Sequence, residues 1–542
     1  MDVAVLSRIQ FALTASFHFL FPPMTIGLGV VLVIIQGLRL KTGTPLYFHM
    51  ARFWTRVFGL IFAIGVASGI VLEFEFGTNW ATYSRFVGDI FGSPLAIEGI
   101  YAFFLESGFL ALLLFGWDRI GPRMHFVSTF LVALGAHFSA IWILVANSWM
   151  QTPTGYHLAR SVKVTADGTQ HPLSADLGSQ AFTIQEIALP AGYVVQPEDL
   201  QSVRAVIDSF SEAIFNPSTL TRLSHTILAC WVTSACLVIA VSAWYLLRNR
   251  HLEFAKSSVR IGLAFGTIAM LLQFVAADAT ARGVADHQPT KLAALEGLTT
   301  TQSEAPLSLV GWVSWDRDEK GNVVGIEKHA VAVPGLLSLL VSGDFTSPET
   351  GAETVVAGLA DLPTDEFLAT RHPDASKDEL ESIRPSYWPN VPVVFQTYHL
   401  MIALGMALMG VALLGCVMWK FGWLWNTRSA LTRTYLWVCV SSIFLAHIAT
   451  QAGWFTAEMG LQPWVVYGVL KTCEAVSRAV AAPQVLVSIF LFTLVYLLHV
   501  TLFVYLLAKR IGVGPGEGDI SEMPEEGWKR LGMKSRRHTR AG

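Results

Sequence analysis

Residues 96–116 read AIEGIYAFFLESGFLALLLFG, an apolar run of 21 residues interrupted by two carboxylic acids, Glu98 and Glu106. As a helix rising about 1.5 Å per residue, the run is long enough to cross a hydrocarbon layer about 30 Å thick. An ionisable side chain in that layer is costly unless it is paired or lines a polar cavity, so each carboxylate reads as a functional position. Their eight-residue spacing puts Glu106 on roughly the same side of the helix as Glu98 and about 12 Å deeper.

The pattern recurs along the chain. Apolar runs of about 20 residues lie near 12–38, 57–77, 96–116, 126–147, 219–246, 261–278, 392–418, 434–456 and 486–508. They predict an all-α integral membrane protein of about nine transmembrane helices in a bundle. A chain that is 53% hydrophobic and only 14% charged is neither an ordinary soluble enzyme nor a disordered one. The start, Met1-Asp2-Val3-Ala4, lacks a basic region and a small-residue cleavage site, so no removable signal peptide is expected. A formal net charge of −3 without a basic stripe argues against nucleic acid as a partner. The five cysteines form no C-x-x-C, C-x-x-C-H or zinc pattern, which disfavours covalent haem and iron–sulfur clusters.

Lysine and arginine in the short loops set the expected orientation. Arg39, Lys41, Arg52, Arg56, Arg119, Arg123, Arg248, Arg250, Lys256, Arg260, Lys420, Arg428 and Arg433 fall on one side, and the alternate short loops are poor in such residues. The basic side is expected to be cytoplasmic, with the N-terminus outside and the C-terminus inside. Residues 1–278 then carry helices 1–6 with an outer insertion near 148–218. Residues 279–391 form a second, longer outer loop, 392–508 carry helices 7–9, and 509–542 form a cytoplasmic tail.

With that topology, His18, Glu98, Glu106, His225, Met401 and Glu458 all fall in the outer half, with His447 about three turns inward of Glu458. Scattered polar residues would not favour one leaflet, whereas a shared cofactor cluster would. Imidazole, thioether and carboxylate together suit iron held in porphyrin. Singly, each has a plainer reading: His18 as a hydrogen-bonded interior histidine, Met401 as packing in a helix that also holds Met406, Met409 and Met418, and Glu458 as a side chain reaching headgroups.

Several stretches go beyond pattern. They are SRIQFALT at 7–14 followed by FHFLF at 17–21, EFEFGTNW at 73–80, GSPLAIEG at 92–99 continuing through FFLES at 103–107, WILVANSWMQ at 142–151, GWFTAE at 453–458 and QPW at 462–464. Together they resemble subunit I of the cytochrome bd-type quinol oxidases, including the cyanide-insensitive branch, over most of the chain. The resemblance implies a terminal oxidase in the bacterial cytoplasmic membrane. It would oxidise quinol at the outer face and reduce O2 to water with cytoplasmic protons, building a gradient without pumping. It implies two b-type haems, one low-spin and one high-spin, and a haem d or a third b-type haem.

Position by position, His225 and Met401 match the axial ligands of the low-spin haem, and His18 and Glu458 match ligands of the two high-spin haems. Glu98 matches a carboxylate at the oxygen site and Glu106 a member of its proton route. Arg8 and Trp454 fall in the matching cofactor-binding stretches. Lys291 and Glu296 match residues of the quinol loop. Implied partners are oxidase subunit II, ubiquinol or menaquinol, O2 and the lipid bilayer, with room for a small single-span subunit. The chain departs from the family twice: His399 stands where an arginine is usual two residues before Met401, and Leu461 replaces the arginine before Gln462-Pro463-Trp464. His399 is therefore a second candidate at the low-spin haem.

Within redox enzymes, a haem–copper oxidase would need adjacent histidines, and the chain has no His-His pair. The paired histidines of a bis-histidine cytochrome b are also absent. A solute or ion transporter could keep Glu98, Glu106 and Glu458 in the membrane, but would be colourless.

Overall fold

The computed structural model describes residues 2–178, 180–342 and 355–516. Among them, nine helical segments are long and apolar enough to cross a membrane. Five long helices carry a proline at their first or second position, Pro22, Pro45, Pro122, Pro392 and Pro483. The first turn has no partner for an amide hydrogen, so proline's missing donor is harmless there.

The first span is where the expected single run gives way. It consists of Val3–His18, a turn, and Pro22–Thr42. Two consecutive prolines, Pro22 and Pro23, cannot donate to the preceding turn and force the break. His18 is thereby left as the last residue of its segment. The second span is Pro45–Gly77. The third runs from Gly88–Ile97 through a π-helical turn, Glu98–Phe103, into Phe104–Phe115. The fourth is Pro122–Gln151, the fifth Thr219–Leu247 and the sixth Leu252–His287. The seventh, eighth and ninth are Val391–Lys420, Ala430–Met459 and Ala482–Val513. Most exceed their hydrophobic windows, because polar helical turns continue past the lipid-compatible part.

Spans five, six, seven and eight form a ring in which the fifth packs on the sixth and eighth, and the seventh on the same two. The fifth and seventh thus stand diagonally across the ring. The first span packs on the second, fourth and fifth. At Gly27 a side-chain carbon would lie 2.8 Å from the Trp231 Cα, so only glycine allows the first and fifth backbones to approach this closely.

Two sides are distinct. On one, Val3 and Ala4 share an apolar cluster with Trp80, Phe86, Val195, Leu200 and Val466, which ties the N-terminus to the first insertion and to the segment after the eighth span. On the other, the Tyr245 hydroxyl donates to the Ile511 carbonyl (2.7 Å) and Arg250 to that of Gly512 (3.0 Å), joining the fifth–sixth loop to the end of the ninth helix. Both insertions lie on the N-terminal side. The first holds a four-stranded antiparallel sheet: β1 (Tyr156–Thr165) is central to β2 (Gln170–Pro172), β3 (Phe182–Ala188) and β4 (Val203–Ile207). The second begins later than 279, since the sixth helix continues to His287. It holds a short helix, Pro289–Glu296, and a hairpin of β5 (Leu307–Arg317) with β6 (Val323–Val333). The sequence shows no obvious periodicity in either insertion that would predict these strands. From residue 517 the expected tail lies outside the described residues.

Candidate functional site

His225 and Met401 sit on the diagonal pair of the ring, the fifth and seventh spans. The Gln273 side-chain nitrogen, from the sixth span, lies 3.0 Å from His225 Nδ1 and 3.3 Å from Nε2, while Gln273 Oε1 is buried without a partner. Met401 points at the eighth span. A side-chain carbon at Gly453 would lie 2.8 Å from its sulfur, so the missing methyl group makes room for the thioether.

His18 packs against the second span in the same manner. Its Nδ1 is 3.0 Å from Ser68 Oγ, and a side-chain carbon at Gly69 would lie 3.1 Å from its Cε1. Ser68 Oγ donates to the Gly65 carbonyl (2.9 Å) and can therefore accept from Nδ1–H, which leaves Nε2 as the ring's lone-pair nitrogen. The eighth span closes the other side through Gln451, which donates to the Ser16 carbonyl (2.8 Å). Around this contact Ser16 Oγ, Gln451 Oε1 and His447 Nδ1 are buried without partners. Such a concentration of unsatisfied buried groups is unusual and asks for a polar ligand.

Glu98 begins the π-helical turn and accepts from Ser139 Oγ of the fourth span at 2.5 Å. The wider turn re-aims the helix between Glu98 and Glu106, and such bulges recur at functional positions. Glu106 is buried. Glu458, near the end of the eighth span, accepts from Asn147 Nδ2 (3.0 Å), and Asn147 Oδ1 accepts in turn from Arg222 of the fifth span. Trp454 lies one turn before Glu458, its ring edge-on to Phe455. Arg8 is half-buried near the start of the first helix, on the insertion side.

Lys291 and Glu296 share one short helix but face different neighbours. Lys291 Nζ donates to Gln151 Oε1 and to the Ala457 carbonyl, both at 3.0 Å, so it is tied to the turn that carries Glu458. Burial, reinforced by the Arg222 charge and opposed by Glu458, holds its ammonium down to about 7. Glu296 is fully buried against the hairpin: Oε2 accepts from the Ser308 amide (3.0 Å), and Oε1 has no partner. Burial pushes its carboxyl up to about 7, against the pull of the Ser308 hydrogen bond and the Lys328 charge. A cavity of about 150 Å³ opens beside Lys291, lined also by Thr290, Phe367, Tyr387, Gln462 and Trp464. Leu461 closes an apolar cluster with Leu368, Leu380, Tyr387 and Trp464. Both nitrogens of His399 face carbonyls, Nδ1 that of Phe395 (2.8 Å) and Nε2 that of Ser308 (3.0 Å).

Among the described residues, no three His, Cys, Asp or Glu side chains converge as a bare metal ion would need. Haem asks only one or two axial ligands of the protein. Glycines that clear His18 and Met401, together with orphaned polar atoms between the helices, fit that smaller demand.

The chain matches the family described as cytochrome bd terminal oxidase subunit I over residues 6–183 and 185–515. It belongs to that family. It is 35% identical to the cytochrome bd-II ubiquinol oxidase subunit 1 of Escherichia coli (strain K12), over 97% of this chain and 99% of the relative. It is 33% identical to the cytochrome bd ubiquinol oxidase subunit 1 of Bacillus subtilis (strain 168), over 97% of each. The bd oxidase structure from Geobacillus thermodenitrificans superposes with a TM-score of 0.72 at 26% identity, covering 94% of this chain and 98% of that one. The protein is thus a multi-pass membrane quinol:O2 oxidoreductase subunit, of a family that uses haem and a second subunit.

Sequence reasoning named the ligand candidates in this oxidase subunit but missed their supports. Ser139, Arg222 and Gln273 lie inside apolar runs, and only Arg222 carries a charge that could have drawn notice. Glu75 lies in the EFEFGTNW stretch, where nothing in the sequence sets it apart from Glu73. It is buried, accepts from Thr14 Oγ1 (2.6 Å), and leaves Oε2 unpartnered, while the Tyr496 hydroxyl donates to Thr14 (3.0 Å).

Proposed function

We propose that this subunit oxidises membrane quinol on the insertion side and delivers the electrons to O2, with protons for water drawn from the opposite side. The observation that carries this reading is the diagonal pair: an imidazole and a thioether on helices held apart by two others, with Gly453 clearing the sulfur. His225 and Met401 would hold a low-spin b-type haem as its two axial ligands. His18 and Glu458 would each hold a high-spin haem, one b-type and the other d-type or b-type. Bound there, the haems supply electron transfer and the oxygen-reducing centre. Arg8 and Trp454 would contact the cofactors from the same side.

The chain's own residues supply proton handling and position. Glu98, held by Ser139, stands at the oxygen site, and Glu106 receives protons on their way to it. Carboxylates suit that task because they can hold a proton where water is scarce. His399 is unsuited to ligate iron as it stands, with both nitrogens turned to carbonyls. Its ring instead bridges the Phe395 carbonyl of its own helix and the Ser308 carbonyl of the hairpin. Quinol is bound at the short helix Pro289–Glu296, where Lys291 supplies a donor for a quinol oxygen and Glu296, on the hairpin side of the same helix, is the general base that accepts a hydroxyl proton.

The Lys and Arg bias makes the insertion side the outside of a bacterial cytoplasmic membrane. Quinol protons are then released outside while protons for water come from the cytoplasm, so turnover builds a gradient without pumping. The quinol would be ubiquinol or menaquinol, and the partner a second oxidase subunit, with room for a small single-span one. The test of the substrate site is Lys291→Met in the purified complex. KM for quinol is expected to rise at least tenfold with the haem spectrum unchanged; an unaltered KM would remove Lys291 from the site.

A further inference from the structure

The hairpin of β5 and β6 carries an apolar face that no packing among the described residues covers. Its register pairs Val310 with Val331 and Trp312 with His329, so these residues share one face, while Val313 and Lys328 share the other. The inner face packs on Glu296: Val313 is buried, and Lys328 donates to the Glu296 carbonyl (2.7 Å). The outer face presents Leu309, Val310, Trp312 and Val331, each more than half exposed, with Val333 beside them. Apolar patches of this kind on a folded surface mark an interaction site.

The hairpin's contacts fix its height along the seventh span. Ser308 reaches His399, two turns into the helix, while Val313 clusters with Val391, Val394 and Phe395 nearer its start. The strand base is therefore the deepest part and the tip points away from the bundle. Composition follows the same axis. Leu309, Val310, Val331 and Val333 occupy the base, Trp312 lies above them, and the tip is Asp316, Arg317, Asp318, Glu319 and Lys320, all exposed. Next to the base, Leu400, Ile402 and Met406 are exposed on the seventh span, an apolar surface on a helix long and apolar enough to cross a membrane. An apolar base, a tryptophan and then charge is the order of a segment seated at the membrane interface. Its depth is limited, because the outer edges of a two-stranded ribbon need water or headgroups for their backbone groups.

We propose that the base of this hairpin is seated in the bilayer interface on the insertion side, with lipid as the occupant of its outer face. It forms an apolar wall between the bilayer and Glu296. Resting on the quinol reading above, the wall is the surface along which a quinol with a long apolar tail reaches Glu296 and His399.

The test uses the full oxidase complex in lipid nanodiscs. In a Cys473→Ser background, which removes the exposed thiol, spin labels are placed singly at Val331→Cys, Lys320→Cys and Ile402→Cys. Their relaxation by O2 and by a water-soluble nickel chelate reports depth. The label at 331 is expected to lie between that at 320 in water and that at 402 in lipid. Equality with 320 would put the base in water and overturn the proposal. Shielding from both relaxants would mean a protein partner covers the face, and would overturn it equally. For the route, Val310→Asp and Val331→Asp are assayed separately with long-tailed and short-tailed quinols. The expected result is a several-fold higher KM for the long-tailed substrate alone, with kcat unchanged. The same fold-change in KM for both substrates, or no change for either, would refute the route, and the depth readings stand whether or not the quinol assignment holds.

Discussion

Replacing Gly453 with alanine isolates the thioether ligand without touching it. The added carbon would lie 2.8 Å from Met401 Sδ and 3.6 Å from its Cγ. Non-bonded heavy atoms settle at about 3.5–4.0 Å, so the sulfur must move by roughly 0.7–1.2 Å. An unligated methionine absorbs such a shift by rotating, because its side chain is unbranched and adaptable. The helix itself gains, since alanine is favoured over glycine in a helix interior by about 1 kcal/mol, against an overpacking cost of about 1–3 kcal/mol. The fold should therefore survive with near-normal stability. A sulfur bonded to iron cannot move by that amount and remain a ligand. Reduced-minus-oxidised spectra and magnetic circular dichroism of the Gly453→Ala complex should show the low-spin b signal converted to high-spin, with circular dichroism and Tm close to those of the parent. Met401→Leu should lose the same signal. A full low-spin signal in both variants would refute the assignment of Met401.

Two further perturbations address buried carboxylates. Glu296 holds its proton up to about 7, against about 4.5 for a free glutamate. As a base it must be ionised, so quinol oxidation should rise with pH through about 7, and Glu296→Gln should be slow at every pH without that limb. The same shift has a stability sign: the native state binds this proton more tightly than the unfolded chain, so the contribution is full below about 4.5 and lost as pH rises through about 7. Glu296→Gln should accordingly lessen the fall in Tm between pH 5 and 8, whereas an unchanged difference would contradict the assignment. At Glu75, Thr14→Val removes the one hydrogen bond to a buried carboxyl whose other oxygen has none. It should cost about 1–3 kcal/mol, read as a lower Tm in detergent. Adding Glu75→Leu should recover part of the loss, since removing both polar partners costs less than orphaning one.

How far the sequence could be read follows from which signals are local. Long apolar runs declare their own spans, because in lipid only a helix satisfies every backbone group within a single run. Charged or ligating residues inside those runs are conspicuous for the same reason, which is why His18, Glu98, Glu106, His225, Met401 and Glu458 could all be singled out. The break at Pro22-Pro23 was in plain view, yet the apolar run continues across it and hid it. Ser68, Ser139 and Gln273 could not be found, since serine and glutamine in a span are unremarkable until a neighbouring helix brings them to a ligand. Gly453 likewise gains its meaning only from the sulfur opposite. The strands were missed because β1 carries charges on a short, half-exposed ribbon, and the β5–β6 face looks apolar on the side that a soluble hairpin would keep polar. Lys291 and Glu296 were matched as a pair, but five residues of helix turn them towards different neighbours, one to the eighth span and the other to the hairpin.

The most direct measurement is pigment content. The complex purified from membranes, with its partner subunit, should yield two b-type haems and a third haem of d or b type per chain. His225→Ala should lose only the low-spin haem and His18→Ala only a high-spin one. A colourless complex, or a haem content that survives replacement of both histidines, would contradict the account.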